Sequence, residues 1–361
     1  NDVTKVKEKE FKATFEIKTK ALYDKLPFAF DMMGEILTES CLDDTKRMKE
    51  ILAMLKSRLL MKFQSSGHTT AALRALSYAS PSAKLKDMTN GVDFFRKVDW
   101  LDTHFEEEKE HLSEKLKELS VKLFRADRMM LSYTAAGEGL KGFEKMVQSL
   151  KDRLYTEPVE ETPCIIHCEK KNEGFRTASK VQYVAKTGNF IERGEEYTGA
   201  LQILKVILSY EYLLQNIRVK GGAYGCMSNF TKSGLSYFVS YRDPNLEKTV
   251  AVYEKAPAYL REFAADEEIM TKYVIGAISE KDTPLPPSAQ GSRSFGAYMS
   301  GYSFAEEQQE RDEILSCQVA DIHALSAQVA AMLETGAFCV VGNEDKIKEQ
   351  AGSFLCVETL V

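Results

Sequence analysis

The chain has 361 residues, 44% of them hydrophobic and 28% charged, with a formal net charge of −6. That is the composition of a globular protein with ample length for a core and, by the length prior, for two domains. An acidic balance with its bases interspersed argues against a nucleic-acid or anionic-membrane partner, and no apolar run reaches the roughly 18 residues that a membrane span requires.

The predicted elements fall into two passages of the same order. In the first, "FKATFEIKTKAL" (11–22) alternates like a strand, and "YDKLPFAFDMMGEILTES" (23–40) follows with apolar residues at helical spacing. A longer helical region, "DDTKRMKEILAMLKSRLLMKF" (43–63), comes next; a charged helix (106–124) and a short apolar strand, "RMMLSYTA" (128–135), end the passage. The stretch "YTEPVEETP" (155–163) has the prolines and acids of a linker. We read residues 1–155 as a first α+β domain, 156–163 as the linker, and 164–361 as a second α+β domain.

The second passage opens on "CIIHC" (164–168), where Cys164, His167 and Cys168 offer three zinc-capable ligands with no CxxC or HxxxH partner to close a site. The expectation there is a strand carrying buried thiols, and the scattered count of seven cysteines points to a reducing compartment. Then "SKVQYVAKTGNF" (179–190) alternates, "YTGALQILKVILSYEYLLQNIR" (197–218) is a strong helix, 245–279 is a longer helical region, and "AFCVVGN" (337–343) is an apolar strand. Long helices beside half-polar strands predict an α+β fold of two related domains, each a mainly antiparallel sheet with helices on one face.

Catalytic motifs are sparse. HExxH and its inverse HxxEH do not occur; the nearest approach, "HLSEK" at His111 and Glu114, has Lys115 where a second ligand would stand, and reads as a solvated helix face. Neither a GxSxG elbow nor a GxxxxGK[ST] loop is found.

The informative stretch is "NIRVKGGAYGCMSNFTKSGLSYFVSYRDPN" (216–245). A cationic helix end at Arg218 runs into Gly221 and Gly222, then Tyr224 at the entry to a hairpin, and Asp243 with Pro244 fits an N-cap for the next helix. A phenol and a guanidinium fork both suit a carbonyl oxygen that gains negative charge, and the glycines let an extended peptide approach the backbone. The bland reading is a glycine-rich helix-to-strand turn, with Tyr224 packed and Arg218 on helix carbonyls.

This stretch, with "SSGHTTAALRALSYASPSAK" (65–84), "TPLPPSAQGSRSFGAYMSG" (283–301) and "VVGNEDKI" (340–347), resembles the C-terminal half of the insulinase-type (pitrilysin-like) zinc metallopeptidases, most closely the presequence protease and falcilysin branch. The resemblance implies a clamshell enzyme whose N-terminal half holds zinc through an inverted HxxEH motif. The C-terminal half closes over an unstructured peptide and supplies an arginine and a tyrosine, here Arg218 and Tyr224, to the scissile carbonyl, with Gly221 and Gly222 shaping the substrate path. It implies no metal ligand in this chain, a zinc ion in an N-terminal catalytic half of the same polypeptide, no activity without that half, and a bacterial cytoplasm or organellar matrix as the compartment. The first residue, Asn1, fits a piece of a longer polypeptide. The alternative is a non-catalytic peptide-binding or assembly subunit of the same superfamily.

Overall fold

The computed structural model describes residues 2–4, 11–160 and 165–360. Its first half is mostly helical. A two-stranded antiparallel sheet, β1 (Asp2–Thr4) and β2 (Phe11–Ala13), precedes α1 (Leu26–Thr38), α2 (Thr45–Ser65), α3 (Gly67–Ser77), α4 (Pro81–Asn90), α5 (Val92–Thr103), α6 (Phe105–Leu123) and α7 (Phe143–Arg153). The second half carries β3 (Glu173–Thr177), β4 (Tyr183–Asn189), α8 (Ala200–Ile207), β5 (Gly225–Phe230), β6 (Leu235–Tyr241), α9 (Glu247–Arg261), α10 (Glu267–Lys281), α11 (Pro287–Ser300), α12 (Phe304–Leu315), α13 (Val319–Ala324), α14 (Ser326–Glu334), β7 (Ala337–Asn343), α15 (Glu344–Glu349) and β8 (Cys356–Thr359).

The six strands of the second half form one sheet in the order β5-β6-β4-β7-β3-β8. The pairs from β5 to β7 are antiparallel, and β3 runs parallel to both β7 and β8, so the sheet is mixed and mainly antiparallel, within an α+β fold. Successive side chains on a strand point to opposite faces. Along β7, Phe338 and Val340 enter one core with Leu201, Leu204 and Ile207 of α8, Tyr253 and Leu260 of α9, and Met332 of α14. Ala337, Cys339 and Val341 enter the other, with Phe63 of α2, Ala71 and Ala75 of α3, and Phe95 of α5.

The second core corrects the expectation of helices on one face only. Helices of the first half close the face that the second half leaves bare, because a strand such as β4, buried over its whole length, needs apolar cover on both sides. An ionic cluster fastens this cover. Arg74 of α3, 1% exposed, donates from Nε and Nη2 to the Glu173 carboxylate of β3 and from Nη1 to Asp87 (2.5 Å) and Asp93 (2.8 Å), while the Tyr78 hydroxyl donates to Glu173 at 2.9 Å.

Three local expectations change. Residues 129–136, most of which were expected as a strand, pair with no strand among the described residues, and only Phe11–Ala13 of the alternating stretch 11–22 is a strand. The "CIIHC" segment falls partly outside the described residues, at Cys164; from 165 to 171 it is irregular, with Ile165 74% exposed, so it is no buried strand. Helix α9 starts at Glu247 behind Leu246, and Asp243 instead closes a turn of its own, accepting from the Asn245 N–H at 2.9 Å and Thr249 Oγ1 at 2.6 Å.

Candidate functional site

The predicted long helix 197–218 forms as α8 and then widens into two π-helical stretches, Leu208–Tyr212 and Leu214–Val219. Arg218 lies in the last of these, exposed. The helix ends as the glycines foretell. The Gly222 N–H donates to the Arg218 carbonyl (2.9 Å) and the Ala223 N–H to that of Ile217 (3.1 Å), with Gly222 at φ 81°, the left-handed conformation that glycine adopts without strain. A Cβ at Gly221 would collide with the Ile217 carbonyl oxygen, and the Gly221 carbonyl accepts from Asn245 Nδ2 at 2.6 Å. Both glycines therefore serve the turn, as the bland reading holds.

The chain then enters the hairpin β5–β6 at Tyr224, whose N–H donates to the carbonyls of Tyr241 (3.1 Å) and Arg242 (3.4 Å). Its side chain is not packed away: Tyr224 is 66% exposed. The Arg218 guanidinium stands 5.8 Å from the centre of the Tyr224 ring, and the Tyr241 ring meets Tyr224 edge-to-face at 5.7 Å. Arg218 makes no ion pair among the described residues, so its charge is free for a ligand. Beside them β5 is an edge strand, with one side of its backbone unpaired among the described residues. The four residues singled out in the sequence, Arg218, Gly221, Gly222 and Tyr224, thus converge on one end of the sheet.

Sequence reasoning missed the rear of this site. Tyr241 is flanked by His68 of α3, edge-to-face at 4.8 Å, by Tyr183 of β4 at 5.6 Å, and by the Arg242 guanidinium at 5.6 Å. Burial lowers the pKa of His68, whose Nδ1 has no hydrogen-bond partner, so the ring stays neutral near pH 7. Burial, with the nearby Asp243 carboxylate, pushes the Cys226 thiol of β5 up to about 12, which keeps it protonated and unreactive. The strings holding His68 and Arg242 were visible, but nothing in their spacing told that they meet.

Among the described residues no group of three or more His, Cys, Asp or Glu is arranged to hold a metal ion. The two carboxylate-rich clusters have cations in their centres: Arg74 in one, and Lys232 with Lys281 against Glu310 in the other. These residues do not fit a zinc site. No helix of the described residues is long and apolar enough to cross a membrane.

Comparison with known proteins gives a consistent picture. The family model described as "PreP C-terminal domain" matches residues 172–342, and the model of the region associated with subfamily C of peptidase family M16 matches residues 2–101. The chain is 35% identical over 356 residues to the protein HypA of Clostridium perfringens, covering 98% of this chain and 36% of that protein. It is 27% identical over 336 residues to presequence protease 1, chloroplastic/mitochondrial, of Arabidopsis thaliana, covering 92% of this chain and 31% of that one. The chain thus spans about a third of the length of these relatives. Among solved structures, a peptidase M16 inactive domain from Pseudomonas fluorescens superposes with a TM-score of 0.55 at 14% identity, over 89% of this chain and 75% of that one, a likeness of fold.

Proposed function

Given that the chain belongs to the insulinase-type peptidases and corresponds to the C-terminal half of their presequence-protease branch, we propose that it is the substrate-closing half of a peptidase acting on unstructured peptides. In this reading it works with an N-terminal half that carries the zinc and does not hydrolyse peptides alone. One observation carries it: an exposed phenol and an unpaired guanidinium stand together, at 5.8 Å, where an edge strand opens to an extended chain.

The roles follow from the donors. Tyr224 Oη donates one directed hydrogen bond to the scissile carbonyl oxygen as negative charge develops there, and the Arg218 fork orients that carbonyl or its neighbour. Gly221 and Gly222 hold the helix end that sets the distance between them and leave the backbone low enough for a peptide to pass.

The test is Tyr224→Phe in the chain combined with the zinc-bearing half, assayed on an unstructured peptide. The substitution removes one oxygen from a mostly exposed ring, so the melting temperature should stay where it is while kcat falls by on the order of 10²-fold, with KM little changed. Near-normal kcat in a folded variant overturns the assignment and leaves Tyr224 as part of the turn.

A further inference from the structure

The strand pairing slips by one residue beside the site. Ala185 of β4 stands opposite Val239 of β6, whereas Gln182 exchanges both backbone hydrogen bonds, each 2.8 Å, with Asp243. Three steps along one chain therefore face four along the other, and the extra residue is a β-bulge. Arg242 lies in it with φ 49°, in the left-handed region that a side chain other than glycine, asparagine or aspartate seldom enters. Bulges beside binding sites re-aim side chains, and backbone strain of this kind collects where the side chain has a task.

The bulge sends two neighbours in opposite directions. Asp243 turns inward and is fully buried, its carboxylate held by Asn245 and Thr249. Arg242 stays exposed, its guanidinium against the Tyr241 ring and within hydrogen-bonding reach of Tyr183. Like Arg218, Arg242 has no ion pair among the described residues. The result is a continuous run of contacts, Arg218 to Tyr224 (5.8 Å), Tyr224 to Tyr241 (5.7 Å), Tyr241 to Arg242 (5.6 Å), with an uncompensated cation at each end.

Only one of those cations is used by a peptide carbonyl at Tyr224. We infer that the other, Arg242, is a specificity residue that binds a carboxylate of the peptide, displaced along the chain from the bond at Tyr224; the inference rests on the function proposed above. A guanidinium fork matches a carboxylate with two parallel hydrogen bonds, and its aromatic backing shields one face from water and fixes the plane in which the partner must lie. The carboxylate is that of an acidic side chain or of the peptide's own C-terminus.

Fluorescently labelled unstructured peptides that differ at one position, Glu or Gln, with that position moved along the peptide and the C-terminus either free or amidated, separate these sources when titrated against the chain. At one position the wild-type chain should bind the Glu peptide about tenfold more tightly than its Gln twin, the worth of one charge-assisted contact. Arg242→Gln should abolish that difference and leave affinity for the Gln twin unchanged. Arg242→Asn, which tolerates the backbone conformation, should do the same and shows that a misfolded variant is not the cause. A preference that survives amidation assigns the side chain; one found only with free termini, whatever the Glu position, assigns the C-terminal carboxylate. Equal affinities for charged and neutral peptides throughout, with the neutral ones still bound, overturn the inference and spare the proposed function. Binding of no peptide at all overturns both.

Discussion

The Arg218 guanidinium and the Tyr224 ring, six residues apart in sequence, face each other at 5.8 Å across a helix end that two glycines close. If both address one carbonyl, their effects on turnover are coupled. Arg218→Lys, which loses the planar fork, should lower kcat/KM by about tenfold or more, and the double variant with Tyr224→Phe should lose less than the product of the single losses. Strictly multiplicative losses in steady-state kinetics of the enzyme assembled with its zinc half would separate the two residues.

The turn itself can be strained by one methyl group. Gly222→Ala places a Cβ at φ 81° and should destabilise the chain by about 1–2 kcal/mol in urea unfolding, with the loss of activity tracking the loss of folded protein. Gly222→Asn should recover much of the stability, since asparagine tolerates left-handed backbone. Equal stability for the Ala variant and the wild type would deny the conformation.

The buried arginine makes a larger test. Arg74→Met removes the cation that neutralises Glu173 and Asp87, each 1% exposed, and should cost about 3–5 kcal/mol in denaturant unfolding, because two carboxylates are left in the interior unpaired. A loss under about 1 kcal/mol would mean that water or other cations reach them.

Acid should act through the same cluster and its counterpart around Glu310. Burial raises the pKa of Asp93, but the hydrogen bond from Lys84 and the charge of Arg74 outweigh it and bring the carboxyl down to about 2; burial of Glu310 is likewise outweighed by Lys232, Lys281 and Tyr197, to about 2. Both lie below the unfolded values near 4, so their stabilisation is fully present above about pH 4 and is lost as pH falls toward about 2. Asp87, whose pKa burial raises, works in the opposite sense and softens the fall. Denaturant midpoints measured from about pH 5 to about 2 should decline, and Glu310→Gln should flatten the decline; a flat wild-type profile contradicts the pairing.

We propose that residues 156–163 link two halves that share a core. Limited proteolysis should nick near residues 156–160 and leave two fragments that co-elute on gel filtration, because α2, α3 and α5 remain seated on the sheet. Fragments that part on nicking would count against the shared core.

Periodicity revealed much of this fold. The alternation in 179–190, the apolar run 337–343 and the hairpin with its turn at 231–234 each became the expected strands, since the side-chain period is a local property. What spacing hid was partnership over long separations. Arg74 and Glu173 are 99 residues apart, and only their meeting reveals that the first half roofs the sheet of the second. In the same way Arg218, Gly221, Gly222 and Tyr224 were legible because one helix end joins them, whereas Arg242 looked like a strand-end charge. Its orientation depends on a bulge, which exists only once β6 is laid against β4.

The π-helical stretches between Leu208 and Val219 set the phase of everything that follows them. A π turn holds more residues than an α turn, and each residue in an α-helix turns the next by about 100°. Deleting one residue anywhere in this segment would let the helix wind back toward α geometry and carry Arg218 around the axis, away from Tyr224, with composition and core hardly altered. Length, here, is as strict a requirement as identity: a neighbour exchanged for a similar side chain leaves the guanidinium on its ring, while a neighbour lost does not.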